Sequence, residues 1–267
     1  MARFRVGTSG YSYPHWRRLF YPEGLAAEHW LAFYARTFDC LELNTTFYRL
    51  PAPHAVERWE AEVPERFRFA VKGSRYLTHL RRLTDRERGV RRFFDALAPL
   101  GPKRGPVLWQ LPPTFSADAE RLEAFLSALP VGDYALEVRH PSWLCDEVYR
   151  VLERHRTALV LHDAMEAAWP WPPPGPFLYG RFHGTTGRYA GRYGRARLRR
   201  VARRIQELGR EAWLFFNNDT GGHAVRDALE LVDLLGQSAR AASTADSASA
   251  VCDAYTVPTN GSGRPSL

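Results

Sequence analysis

Two charged side chains interrupt an apolar strand and set the chemical question. In the stretch from Tyr134 to Trp143, Glu137 and Arg139 alternate with Leu136 and Val138. A period of two places the charges on one face and the aliphatics on the other. In a parallel sheet covered by helices both faces of a strand are buried. Charges on the inner face must then be paired or take part in chemistry. The alternation recurs along the chain. Glu42 and Asn44 oppose Leu41 and Leu43, and Arg68, Ala70 and Lys72 oppose Phe67, Phe69 and Val71. Leu108 shares a face with Gln110, and Tyr179, Arg181 and His183 share another. Two further strands are ambiguous, offering His162 or Asp163 and Asn217 or Asn218.

This set suits an anion. Lys72, Arg139 and Arg181 could converge with Glu42, Glu137 and Asp163. Arginine forks grip carboxylate or phosphate with two parallel hydrogen bonds. Glu42 and Glu137 are the acid/base candidates, and His183 is a candidate proton shuttle. A buried Lys72 could lose its proton easily and form a Schiff base. Ser9, Tyr11, Asn44, Gln110, Trp143 and Asn217 are expected to complete the substrate contacts beside Arg139 and Arg181. The competing reading is structural: Glu42 with Lys72, or Glu137 with Arg139 or Arg181, could be ion pairs that only hold the fold. Likewise His162 could be a hydrogen-bonded core residue, and Trp16 and Trp143 could pack the core. His15, His79, His140 and His223 fall near strand ends or in loops.

Metal chemistry has acceptable ligands in Glu42, Glu137, His162, Asp163 and His183. No HxH, HExxH or DxD spacing supports it, and three inward cations oppose a cluster of divalent ions. The expectation is no cofactor, with a divalent metal disfavoured. Neither a Walker A motif nor GxSxG occurs. Glu42 and Glu137 could serve glycoside hydrolysis only at the right separation.

The elements that must position these residues alternate strand and helix. Strands are expected over Arg3–Thr8, Cys40–Thr45, Phe67–Lys72, Pro106–Leu111, Tyr134–Arg139, Ala158–His162, Phe177–His183 and Ala212–Asn217. Helical patterns cover His29–Thr37, Pro53–Glu62, Asp85–Leu97, Asp118–Leu129, Asp146–His155, Leu198–Leu208 and His223–Leu235. Ala164–Pro176 holds a run of prolines and tryptophans that cannot be a helix. Eight strands with intervening helices are the arithmetic of a TIM-like (β/α)8 barrel. A doubly wound sheet is the alternative, weakened because no GxGxxG follows the first strand. Residues 1 to 236 form the expected domain. Residues 237 to 267, rich in Ser, Ala, Thr and Gly, are expected to be a disordered tail.

Several segments, in order, resemble the YecE-like family, named for a domain of unknown function. They are Gly7–Tyr11 with His15 and Trp16, Glu42–Tyr48, Phe69–Ser74, Leu108–Pro113, Glu137–Trp143, Tyr179–Gly184 and Phe216–Asp219. The resemblance spans about residues 3 to 235 and implies a TIM-like barrel. It supplies no reaction and no catalytic residues. The Pro-rich loop and the tail after Gly236 lie outside its pattern.

Composition bounds the partners. The net charge is +8, and of 37 basic residues only Lys72 and Lys103 are lysine. So strong a preference for arginine is explained by coding bias as readily as by binding, which discounts the charge as a sign of nucleic acid. The run from Arg188 to Arg204 interleaves Arg with Tyr, which suits a nucleic-acid backbone or a solvated helix face. The loop from Gly184 to Arg195 follows the seventh strand, a common phosphate position in barrels. Cys40, Cys145 and Cys252 form no CxxC, as in a reducing compartment. No apolar run approaches membrane-spanning length. These features lead to a cytoplasmic enzyme acting on an anionic, including phosphorylated, small molecule at the C-terminal face of a barrel. A nucleic-acid-binding or metal-dependent nucleic-acid-processing barrel is second, and a non-catalytic interaction module third. Nothing in the sequence sets an oligomeric state.

Overall fold

The eight expected strands form one parallel sheet in the computed structural model, which describes residues 3–187 and 189–236. Arg188 and the expected tail, 237–267, lie outside the described residues. The strands are β1 (Phe4–Thr8), β2 (Cys40–Leu43), β3 (Arg68–Lys72), β4 (Arg104–Gln110), β5 (Tyr134–Glu137), β6 (Thr157–His162), β7 (Leu178–Phe182) and β8 (Ala212–Phe216). Their spatial order is β1-β8-β7-β6-β5-β4-β3-β2, so the chain winds once around a barrel. Arg139 and His183, read as strand residues, lie just past the ends of β5 and β7.

Closure between β1 and β2 does not use a ladder. A single bridge joins Ser9 to Glu42, and the Gly10 N–H donates to the Glu42 carbonyl at 2.9 Å. Below it the gap is filled by Tyr34, on α1 (Trp30–Thr37). The Thr8 N–H donates to the Tyr34 hydroxyl at 2.9 Å, and that hydroxyl donates to the Cys40 carbonyl at 3.2 Å. One phenol thus satisfies two backbone groups that a ladder would have paired. Gly7 allows the approach, because a Cβ there would lie 2.5 Å from the Cys40 carbonyl oxygen.

Alternation sorts the strand residues as the period of two requires. Cys40, Ala70, Leu108, Ala135, Val160, Tyr179, Trp213 and Phe215 fill the barrel interior. Leu41, Leu43, Phe69, Val71, Trp109, Leu136, Leu159 and Leu214 face outward and pack in the core under the helices. Small residues on β3 and β5 leave space for the large rings of β7 and β8, so the interior is solid rather than a pore.

The covering helices are α2 (Thr45–Tyr48), α3 (Pro53–Ala61), α4 (Arg88–Leu97), α5 (Ala119–Ser127), α6 (Asp146–Arg154), α7 (Arg195–Leu208) and α8 (His223–Leu234). Pro53 starts α3 at a position where its missing N–H is no loss. Asp118 caps α5 by accepting the Arg121 N–H at 2.9 Å. α4 begins after Asp85, whose carboxylate accepts the Gly89 N–H at 2.8 Å and precedes the regular turns. The single turn α2 and a π-helical turn at Tyr76–Leu80 are too short to leave a periodic signal. Among the described residues no helix joins β6 to β7. The proline-rich segment crosses there as a loop, as its composition requires.

Candidate functional site

Arg181 is the hub of the barrel interior, and it is only 1% exposed. Its Nη2 and Nε donate to Glu42 Oε1 at 2.8 and 3.1 Å, and its Nη1 donates to Glu137 Oε2 at 2.6 Å. Glu42, on β2, also accepts Ser9 Oγ at 2.6 Å and the Tyr179 hydroxyl at 2.7 Å. Glu137, the last residue of β5, accepts Gln110 Nε2 and Arg139 Nε, each at 2.5 Å. Removing such ions from water costs several kcal/mol apiece unless hydrogen bonds satisfy them, and here both carboxylates are satisfied. Burial pushes the Glu137 carboxyl up, but the Arg181 and Arg139 guanidiniums outweigh it and hold the group well below the usual range. Glu137 therefore stays ionised at neutral pH and holds no proton to donate. The structure builds the ion pairs of Glu137 with Arg139 and Arg181. It does not build the Glu42–Lys72 pair that the sequence offered as an alternative.

Above this network, at the C-terminal ends of the strands, lies a cavity of about 720 Å³. His79, Gln110, Arg139, Asp163, His183 and Tyr189 line it, with Leu111, Pro113, Met165 and Thr185. The loop after β7 contributes Gly184, Thr185, Gly187 and Tyr189, in the position expected for anion contacts. Arg139 is 19% exposed, so one side of its guanidinium serves Glu137 while the side chain also reaches the cavity.

Arg139 also sets the state of His183. Its Nη2 lies 3.0 Å from His183 Nε2. A guanidinium has only donors, so Nε2 accepts and the imidazole proton sits on Nδ1. Nδ1 lies 3.4 Å from Asp163 Oδ1, without hydrogen-bond geometry. Asp163 is itself held by the His183 N–H at 2.8 Å and by the Tyr193 hydroxyl. Burial lowers the His183 pKa, Asp163 raises it in part, and Arg181 lowers it again. His183 is thus a neutral acceptor. His162 takes no part in this chain. Its Nε2 donates to the Val138 carbonyl at 2.8 Å, and its Nδ1 accepts the Ala164 N–H at 3.3 Å. Burial takes its pKa down to about 4, so it is a neutral clasp between β5 and β6. Of the pair offered by β6, Asp163 lines the cavity and His162 does not.

Lys72 ends β3 on the inner face. Its ammonium stands 4.2 Å above the Phe47 ring, and no carboxylate comes within ion-pair distance among the described residues. Burial lowers its pKa to about 8, with Arg181 next in effect and Glu137 and Glu42 opposing. Lys103 differs completely. It donates to the Glu60 and Val63 carbonyls at 2.8 and 2.9 Å and meets Glu60 Oε1 at 2.8 Å. His79 lies edge-on to the same Phe47, ring centroids 5.0 Å apart, and burial, then Lys72, takes its pKa to about 4.

The remaining expected contacts divide. Ser9 and Gln110 serve the carboxylate network, and Gln110 also lines the cavity. Asn44 follows β2, and its Oδ1 is shielded from water without a hydrogen-bond partner among the described residues. Asn217 continues the inner face of β8, and its N–H donates to the Phe182 carbonyl at 2.7 Å. Asn218 is the buried one, tying the Gly191 carbonyl at 2.9 Å to Asp227 at 2.7 Å. Trp143 and Tyr11 are not brought to the cavity. Trp143 is fully buried, donates Nε1 to the Phe115 carbonyl at 2.6 Å and packs edge-on to Phe115. Tyr11 packs against the core, with Glu62 and Arg58 as its charged neighbours. Trp16 likewise packs, donating to Asp219 at 2.7 Å. No three His, Cys, Asp or Glu side chains come together as a metal-binding group among the described residues. Glu42 and Glu137 are bridged by one guanidinium, which leaves no paired open faces for a sugar.

Comparison with known proteins places this architecture. A family model described as "Protein of unknown function DUF72" matches residues 5–250. The chain belongs to the DUF72 family. The match runs past Gly236 into the segment read from composition as a tail. The UPF0759 protein YecE of Escherichia coli K12 is 37% identical over 140 residues, which are 52% of this chain and 49% of that protein. In that match the chain spans about half the length of its curated DUF72 relative. The UPF0759 protein YunF of Bacillus subtilis is 26% identical over 259 residues, covering 80% of this chain and 89% of that protein. The crystal structure of a DUF72 family protein from Thermotoga maritima superposes with a TM-score of 0.79 at 28% identity, covering 88% of this chain and 99% of that one. One from Enterococcus faecalis gives 0.75 at 22% identity, covering 87% and 95%, and supports the fold alone.

Proposed function

We propose that this DUF72 protein is an enzyme that binds a small anion, phosphorylated or carboxylic, in the cavity above the Glu42–Arg181–Glu137 network. Lys72 is the observation that carries the reading. Arg181, Arg139, Arg5 and Lys103 are all shielded cations with a carboxylate beside them. Among the described residues Lys72 has an aromatic face and no carboxylate within ion-pair distance. Partly withdrawing an ammonium from water with no carboxylate beside it is destabilising, and a ligand that supplies negative charge accounts for its placement. Arg139 is the second anion contact, oriented by Glu137 and His183. Glu42, Glu137 and Arg181 act as positioning residues, and acid–base work falls to Lys72, whose pKa of about 8 lies near neutrality. The free Cys40 and Cys145 suit a reducing, cytoplasmic setting. No helix among the described residues is long and apolar enough to cross a membrane.

The nucleic-acid reading is less well supported. Arg192 pairs with Asp227 and Glu230 at 3.2 and 3.0 Å, and Arg195 pairs with Asp233 at 2.8 Å, so α8 neutralises these two members of the run. Arg197 and Arg204 stack on Tyr193 and Trp171. The convergence of charge on a concave face argues equally against a non-catalytic module.

Thermal-shift and calorimetric titration with phosphate monoesters, monocarboxylates and dicarboxylates, against a chloride control, tests the reading. At least one class should bind the wild type, and Lys72→Met and Arg139→Gln should weaken it at least tenfold with the fold intact. Equal binding by Lys72→Met, or no binding by any anion, overturns it.

A further inference from the structure

Lys72 and Asn44 follow the last paired residues of two adjacent strands, and among the described residues neither the Lys72 amine nor Asn44 Oδ1 has a hydrogen-bond partner. The register that pairs Leu43 with Val71 sets the next residues, Asn44 and Lys72, together at the ends of β2 and β3. No hydrogen bond or ion pair holds the Lys72 amine, and Asn44 Oδ1 is a shielded acceptor with no donor among the described residues. Lys72 and Asn44 lie beneath the cavity rather than among its lining residues, while His79, on the turn after β3, and Gln110, two places beyond Lys72's partner Leu108 on β4, do line it. We propose that Lys72 is a Schiff-base nucleophile, and that the substrate is a small anion bearing a ketone or aldehyde carbon. This rests on the anion-binding reading above and goes beyond it in naming the reacting group.

An imine-forming amine needs a free lone pair and an approach. A lysine locked in an ion pair has neither, as Lys103 shows with its two backbone carbonyls and Glu60. Lys72 holds its nitrogen 4.2 Å above the Phe47 ring, with no hydrogen bond or ion pair among the described residues. The charges acting on it come from β2 (Glu42), from the end of β5 (Glu137, Arg139) and from β7 (Arg181), with neutral His79 nearby. Burial and Arg181 dominate, so a usable fraction of the amine is neutral near pH 8.

The step balances without a co-reactant. The nitrogen lone pair forms a bond to the carbonyl carbon while the C=O π pair moves to oxygen. That oxygen takes a proton and the nitrogen loses one, giving a carbinolamine. A second proton lets the oxygen leave as water while the C=N bond forms. The sum is carbonyl, amine and one proton giving protonated imine and water. A carbinolamine hydroxyl at Lys72 is the donor that Asn44 Oδ1 lacks, and Arg139 holds the anionic group across the cavity.

Reductive trapping tests this. The protein is incubated with pyruvate, and separately with dihydroxyacetone phosphate, in the presence of cyanoborohydride, and the adduct is mapped by mass spectrometry. The chain holds two lysines, so the map is simple. At least one probe should leave its mass on Lys72 and not on Lys103. Lys72→Arg should lose the adduct, since it keeps the charge without a nucleophilic amine. Labelling should rise with pH through about 8. Anions that bind the wild type while neither probe labels Lys72 overturn the Schiff base and leave the anion-binding reading standing. Failure of every anion to bind overturns both.

Discussion

Arg139 donates to His183 across 3.0 Å and thereby fixes which imidazole nitrogen can carry a proton. While the contact lasts, Nε2 is occupied and His183 cannot act as a base. Nδ1, 3.4 Å from Asp163 Oδ1, carries the proton without a hydrogen-bond partner among the described residues.

Arg139→Gln separates the two roles of that guanidinium. Loss of a charge-assisted contact to the anion is worth about 1.5–3 kcal/mol, or roughly ten- to hundredfold in affinity. Removing a positive neighbour should also raise the His183 pKa, which burial and Arg181 lower and to which Arg139 adds. Histidine NMR titration checks this. An unchanged His183 titration in Arg139→Gln would show that the contact does not set its protonation.

Glu137→Gln is primarily a stability test. From sequence, Glu137 looks like an acid/base group whose amide analogue should fold and lose only chemistry. In the structure it is fully buried and neutralises Arg181 and Arg139. Breaking a buried pair by removing one charge costs about 3–5 kcal/mol. Chemical denaturation should show Glu137→Gln less stable by that order. Arg139→Gln should lose less, because Arg139 is the more exposed partner. A Glu137→Gln protein as stable as the wild type would return Glu137 to the list of groups free for catalysis.

The barrel was legible because alternation and eight-fold strand–helix rhythm are local signals. Glu42, Lys72, Gln110, Glu137 and Arg181 were found the same way, since a charge on an inner face is visible one strand at a time. What alternation cannot show is who partners whom. Nothing in the sequence distinguishes Glu42 with Lys72 from Glu42 with Arg181, and the choice depends on how β2 and β7 face across the barrel. For Trp143 the sequence left pocket wall and core packing open, and the structure chooses the core. Trp143 follows β5 closely, but the turn at Pro141–Trp143 directs the ring to Phe115 in the core. His79 sits on an irregular turn with no period to flag it, and Tyr193 reaches Asp163 from a loop 30 residues away. The seam at Tyr34 was hidden too, because a helix tyrosine with apolar neighbours looks like ordinary core.

The last prediction turns the unpaired lysine into a measurable quantity. Lys72 has a folded pKa of about 8 against an ordinary value of 10.5. Below pH 8 it is charged in both the folded and unfolded states, and the folded state bears the full cost of shielding it. Between pH 8 and 10.5 the folded protein releases the proton while the unfolded chain keeps it. The unfolded state then binds more protons, so stability rises with pH across that window. Above 10.5 the amine is neutral in both states and the penalty is gone. The full shift corresponds to about 3 kcal/mol. Residual contact with water reduces this, so Lys72→Met should stabilise the protein by about 2 kcal/mol at pH 7, aided by methionine packing on Phe47. The advantage over wild type should shrink through pH 8 to 10.5 and vanish above it, and taking the difference between the two proteins cancels every other titrating group. Urea denaturation at several pH values measures this. A Lys72→Met protein less stable than wild type at pH 7 would mean that the ammonium has a partner in solution, and the case for a ligand-seeking lysine would fall with it. Greater stability together with lost anion binding would mark Lys72 as a residue kept for function at the expense of the fold.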